Sequence, residues 1–233
     1  STTGTTAGAI QCYESPDLLT WTQRGNVQIN ASAASMSGGV TDIVYGNGMY
    51  IAIGGYAASS TTIAKTIWTS TDLNTWTQRV NITNGSNTSG GATILNVNGL
   101  FIASLYHAAA TTNNIQTSPD GTTWTPRSHA SLTTGLAYVN GRILNLANTA
   151  LYRSLDAGAT WTSTATGLSA PSQLHANNLS GTTIAAYGNQ VMAAAARSST
   201  PNAVYRFNAE GIALAAANMD SSVGAVRAVA ARP

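Results

Sequence analysis

Short apolar runs in this chain alternate with two kinds of polar turn. Four times an apolar run is broken by Asn-Gly or a close variant and then resumes: DIVYGNGMYIAI around Asn47, TILNVNGLFIAS around Asn98, LAYVNGRILNL around Asn140 and IAAYGNQVMAA around Asn189. A type I′ turn needs positive φ at both central residues, and Asn-Gly supplies it, so each segment predicts an antiparallel hairpin. A second motif lies between these: SPDLLTW (Ser15 to Trp21), STDLNTW (Ser70 to Trp76), SPDGTTW (Ser118 to Trp124) and SLDAGATW (Ser154 to Trp161). Each copy places Ser two residues before Asp and ends in Thr-Trp. Each predicts a second hairpin.

Two hairpins per repeat make four strands, and the repeat length of roughly 47 residues falls in the range of propeller blades. A further copy is hidden in AVYRFNAEGIAL (Ala203 to Leu214), which aligns on ALYRSLDAGATW with Tyr205 on Tyr152 and Gly211 on Gly158. The N-terminus holds a second hairpin without a first, and SVGAVRAVAARP at the other end reads as a lone apolar strand. The expected architecture is all-β: a five-bladed β-propeller of four-stranded antiparallel blades, closed by N- and C-terminal strands that share one blade and leave no free edge. The domain division is a flexible lead-in over 1–8 and a single propeller over 9–233. Its blades are 9–26 with 221–233, 38–80, 91–128, 134–164 and 174–216. Only the Ala-rich stretch near 211–219 has any claim to be helical.

Composition narrows the partners. Charged residues make up 8% of the 233 residues and the net charge is +2, with no run of Lys or Arg. Nucleic acid is therefore not an expected partner. No apolar stretch approaches the ~18 residues of a membrane span, so membrane insertion is not expected either. The single cysteine, Cys12, excludes an intrachain disulfide and a Cys-based metal cluster. The three histidines lack ligand spacing, so no metal and no cofactor are expected. The chain opens at Ser1 with no Met and no signal-like core, and reads as a processed chain or an excised piece.

The Ser-x-Asp…Thr-Trp motif resembles the Asp-box, or BNR repeat, of sialidase-like propellers. The resemblance implies a structural role for Ser15, Asp17, Trp21, Ser70, Asp72, Trp76, Ser118, Asp120, Trp124, Ser154, Asp156 and Trp161, as a turn between third and fourth strands. The chemistry agrees: an Asp carboxylate accepts turn amides, and a Trp buries its ring between blades. Setting the four box aspartates aside leaves Glu14, Asp42, Glu210 and Asp220. Arg24, Arg79 and Arg127 recur at one position in three blades and do not converge as a sialidase triad would. A paired-carboxylate glycosidase needs two acids in one pocket, and Asp42 with Asp220 is the pair that remains.

The turns are repetitive and the other connections irregular, so ligand binding is expected on the irregular face. Tyr56, Tyr106, His107, His129, His175 and Arg197 are the candidates there, since aromatic faces and neutral hydrogen-bonding groups suit sugars. No catalytic residue is assigned. Low charge and loose YGNG…SPDGTTWT repeats also resemble propellers of bacteriophage tail and virion proteins. The expected function is thus a non-enzymatic binding or structural domain of a phage particle (a tail-fibre, receptor-binding or decoration role). It would sit on the virion, or else be secreted, and meet host-surface glycan and other virion subunits, with homo-oligomerisation left open. The alternative is a secreted glycoside hydrolase or a cellular lectin of the sialidase-like propeller type.

Overall fold

The computed structural model describes residues 9–28, 35–57, 63–84, 92–105, 115–128, 135–147, 150–165, 184–195, 203–208, 210 and 213–218. Among them are strands and no helix. A hairpin of β1 (Ala9–Glu14) and β2 (Thr22–Gln28) comes first. Four antiparallel sheets follow, each of four strands in simple sequence order. They are β3 (Ser35–Gly46), β4 (Met49–Ala57), β5 (Ile63–Ser70) and β6 (Thr77–Asn84), then β7 (Ala92–Val97), β8 (Leu100–Leu105), β9 (Ile115–Ser118) and β10 (Thr125–Arg127). The third is β11 (Gly135–Val139), β12 (Arg142–Ala147), β13 (Ala150–Ser154) and β14 (Thr162–Ala165), and the fourth β15 (Ile184–Tyr187), β16 (Gln190–Ala195), β17 (Ala203–Asn208) and β18 (Ala213–Asn218).

Turn chemistry sets the register. Asn47–Gly48, Asn98–Gly99 and Asn140–Gly141 all take positive φ, which closes two-residue hairpins between the first and second strands. The fourth hairpin is shifted by one residue. Tyr187 pairs with Gln190, so Gly188–Asn189 is the turn and Gly188 takes φ 55°. In YGNQ no glycine follows the asparagine, and the one that precedes it carries the positive φ. The Ala-rich stretch is strand rather than helix: β18 pairs along β17, and the ladder supplies the amide partners that a helix would have supplied internally.

First strands lie side by side, β3 against β7, β7 against β11 and β11 against β15. The core fills the spaces between successive sheets. Ile51, Ile53 and Ile67 meet Ile94, Phe101 and Leu105 in the first space. Ile102 and Ile115 meet Leu136 and Ile143 in the second, and Leu144 and Leu151 meet Val191 and Phe207 in the third. Each fully buried side chain of this size contributes about 1.5–3 kcal/mol. Trp68, 1% exposed, packs with Ala52 and Ala64 on the opposite face of β3–β6.

Close approach between sheets depends on small residues. A Cβ on Gly46 would fall 1.6 Å from Asn96 Nδ2, which donates to the Tyr45 carbonyl at 3.2 Å. Gly25 of β2 donates its amide to the Leu73 carbonyl at 3.1 Å and so joins the first hairpin to the turn of the next sheet. The expected closing strand within 221–233 lies outside the described residues.

Candidate functional site

The four Ser-x-Asp turns use their carboxylates on themselves. Asp17 Oδ1 accepts the amides of Leu19 and Thr20, at 2.8 and 2.7 Å, and the hydroxyl of Ser15. Asp72 and Asp120 accept the equivalent amides of Asn74 and Thr75, and of Thr122 and Thr123. The longer fourth turn gives Asp156 the Thr160 amide and hydroxyl, and the Ser154 hydroxyl. Donation to the ionised form holds all four carboxyls below the ordinary range. The Thr20 hydroxyl leads at Asp17, the Thr75 amide at Asp72 and the Thr123 amide at Asp120. The Thr160 hydroxyl lowers Asp156 to about 2.

The tryptophans of the three later turns close back on the same loops. Trp76, Trp124 and Trp161 donate Nε1 to the carbonyls of Leu73, Gly121 and Gly158. Trp124 and Trp161 also pack on the core clusters shared with the preceding sheet. Trp21, in the first turn, is 57% exposed.

Two of the remaining acids are paired at the surface. Glu14 takes Arg24, and Glu210 takes both Arg142 and Arg153. Asp42 differs from them. It lies on β3, a first strand, with its carboxylate between β3 and β7: Oδ2 accepts the Ile94 amide at 3.0 Å and Oδ1 the Ile43 amide at 2.9 Å. Burial pushes its carboxyl above the ordinary range, although the two amides work against that. Among the described carboxyls with a shift, Asp42 is the one raised rather than lowered. Asp220 lies outside the described residues.

Two further polar groups are buried. Lys65, the sole lysine of the chain, is buried on β5, and desolvation lowers its ammonium to about 8. Asn145 on β12 is fully buried, and neither of its amide atoms finds a hydrogen-bond partner among the described residues. The equivalent positions of the two preceding sheets hold Ala52 and Ala103. No cluster of three or more His, Cys, Asp or Glu suited to a metal occurs among the described residues.

Of the aromatic and basic candidates for the irregular face, Tyr56 is on β4, where its backbone pairs with Ala64. Its side chain, and the whole of Tyr106, His107, His129, His175 and Arg197, lie outside the described residues. The sequence names Asp42, with Asp220, as the pair of acids that remains for a glycosidase. The bond of Asp42 to Ile94 across two sheets carries no motif and is visible only in the register.

Successive four-stranded sheets with adjacent first strands, stapled across their turns, define a β-propeller. The chain belongs to the DUF6242 beta propeller domain family, whose model matches residues 15–210. No curated protein matches it. Among solved structures it is similar to an α-L-arabinanase from Penicillium chrysogenum complexed with arabinobiose, at 14% identity and TM-score 0.50, covering 88% of this chain and 68% of that one. It is also similar to an exo-β-1,3-galactanase from Phanerochaete chrysosporium, at 14% identity and TM-score 0.45, covering 76% of this chain and 49% of that one. The chain thus spans about half the length of the galactanase.

These relations correct the expectation of a non-enzymatic binding or structural domain of a phage particle. A solved structure that shares the fold is an arabinanase, so the fold gives no ground for the assignment of no enzymatic activity, which is withdrawn. The acid count did not require that assignment. Removing the four turn aspartates still leaves enough carboxyls for a glycosidase, which needs only two.

Proposed function

We propose that this propeller is a glycoside hydrolase acting on neutral oligosaccharides. Asp42 carries the proposal: a half-buried carboxyl on a first strand, raised by burial, in a fold shared with an arabinanase. Of the eight acids in the chain, four are committed to turns and two to surface ion pairs. That accounting supports Asp42 and Asp220 as the working pair. Protonated Asp42 gives its proton to the glycosidic oxygen as the C–O bond breaks. Asp220 takes a proton from the water that adds at the anomeric carbon, and the two acids exchange protonation states over the cycle. Tyr56, Tyr106 and His107 supply the aromatic and hydrogen-bonding wall against which the sugar lies.

The finer architecture belongs to the same reading. The chain forms one domain of five blades with Asp-box turns, and residues 221–233 complete the blade begun by β1 and β2. That hairpin carries the first Ser-x-Asp turn, so it matches the third and fourth strands of the other sheets and lacks their first and second. Ile43 and Tyr45, on the face of β3 opposite Val44, are 48% and 58% exposed, which supports a covering strand there.

The test is reducing-end release from arabinan and β-1,3-galactan by the full chain and by Asp220→Asn. Release by the wild type that is lost in the variant supports the pair. Release that Asp220→Asn leaves unchanged overturns it, and no release from any neutral glycan overturns the reading as a whole.

A further inference from the structure

Arginines recur at one place on the outer hairpins, and the first shows what they bind. The residue just before the turn serine bonds through its side chain to the residue three after the turn tryptophan, two positions beyond its partner in register. In β1–β2 these are Glu14 and Arg24, and Arg24 donates Nε and Nη2 to Glu14 Oε2 at 2.8 and 2.6 Å. In β5–β6 they are Thr69 and Arg79, where Nε donates to Thr69 Oγ1 at 2.9 Å. Arg127 repeats that bond with Thr117 at 2.9 Å. In β13–β14 the arginine has changed sides, and Arg153 reaches the carboxylate of Glu210. Arg79 has no carboxylate partner among the described residues.

Threonine ends one carbon short of where a glutamate carboxyl carbon would lie. In β5–β6 a pocket of about 160 Å³ is lined by residues that include Arg79, Met49, Thr71, Thr75 and Thr77. Asp72 forms no ion pair with Arg79 among the described residues, and its Oδ1 is taken by Ser70 and by the amides of Asn74 and Thr75. The pocket is smaller than a drug-sized site, which suits a single small molecule. A guanidinium fork selects a carboxylate, and walls of hydroxyls pair with the hydroxyls of a sugar.

We propose that the Arg79 pocket binds the carboxylate of a uronic acid residue, with Arg79 taking the carboxylate as Arg24 takes Glu14. Met49 offers its apolar side chain to the sugar ring and the threonines take ring hydroxyls. The pocket shares no residue with the surroundings of Asp42, so it stands or falls independently of the hydrolytic reading.

Titration of the full chain with glucuronate and galacturonate, against glucose, galactose and acetate, tests it by calorimetry. Uronate should bind at least about tenfold more tightly than the neutral sugars or acetate, the factor expected for a charge-assisted bond added to hydroxyl contacts. Arg79→Gln should weaken uronate by about the same factor. Thr69→Glu, which copies Glu14 and fills the pocket with its own carboxylate, should abolish binding while the melting temperature holds. Absence of uronate binding, equal binding of acetate, or binding that survives both substitutions would overturn the proposal.

Discussion

Asp42 and Thr93 occupy the same position in successive sheets and make the same bond. Asp42 Oδ2 accepts the Ile94 amide at 3.0 Å, joining β3 to β7, and Thr93 Oγ1 accepts the Leu136 amide at 3.1 Å, joining β7 to β11. Each stands five residues before its turn asparagine, and each takes the amide four residues before the next one. A hydroxyl is therefore enough to staple two sheets. The carboxyl at Asp42 brings something the staple does not require: a titrating group whose protonated form burial favours.

The Ser-x-Asp turns predict an acid-sensitive component of stability. The folded carboxyl of Asp156 lies at about 2 against an ordinary 3.8. A depressed folded value means stability that is full above 3.8 and lost as pH falls toward 2. Melting temperature measured from pH 5 down to pH 2 should fall in the wild type. It should fall less in Asp156→Asn, which starts lower at pH 5. Parallel profiles for the two proteins would contradict the assignment.

Much of this framework is legible in the sequence because local chemistry determines it. Asn47–Gly48 and Asn98–Gly99 require positive φ whatever surrounds them, and Asp17 finds its acceptor geometry within three residues. The fourth turn, at Gly188–Asn189, slips by one because its glycine precedes the asparagine. Ala213–Asn218 has no apolar period to read, and only its pairing with β17 makes it a strand. Asp42 is the hardest to read. Its importance comes from a neighbour 52 positions away and from the burial that the neighbouring sheet imposes.

The residue after the turn aspartate takes positive φ in all three short turns: Leu18 at 60°, Leu73 at 60° and Gly121 at 69°. A β-carbon is strained there, and Leu18 is 76% exposed, so it gains little packing in return. Leu18→Gly should raise the unfolding free energy by about 0.5–1 kcal/mol after the entropy cost of glycine. A shift of the urea midpoint to higher concentration checks this.

Asn145 buries both ends of an amide without a partner among the described residues, where Ala52 and Ala103 stand in neighbouring sheets. Asn145→Ala should stabilise the fold by about 1 kcal/mol, since an unsatisfied buried polar group carries a desolvation cost of that order or more. The urea midpoint is again the readout. A fall instead of a rise would mean that Asn145 holds an internal water.

The central claim is tested most directly by Asp42→Thr, which installs the residue that nature uses at the same position one sheet on. The measurement is the rate of reducing-end release from arabinan by wild type and variant, taken beside their melting temperatures. A variant that melts within a few degrees of the wild type, with hydrolysis reduced at least about a hundredfold, is the predicted result for loss of a general acid. Hydrolysis at the wild-type rate in the folded variant would contradict it and leave Asp42 as a staple alone.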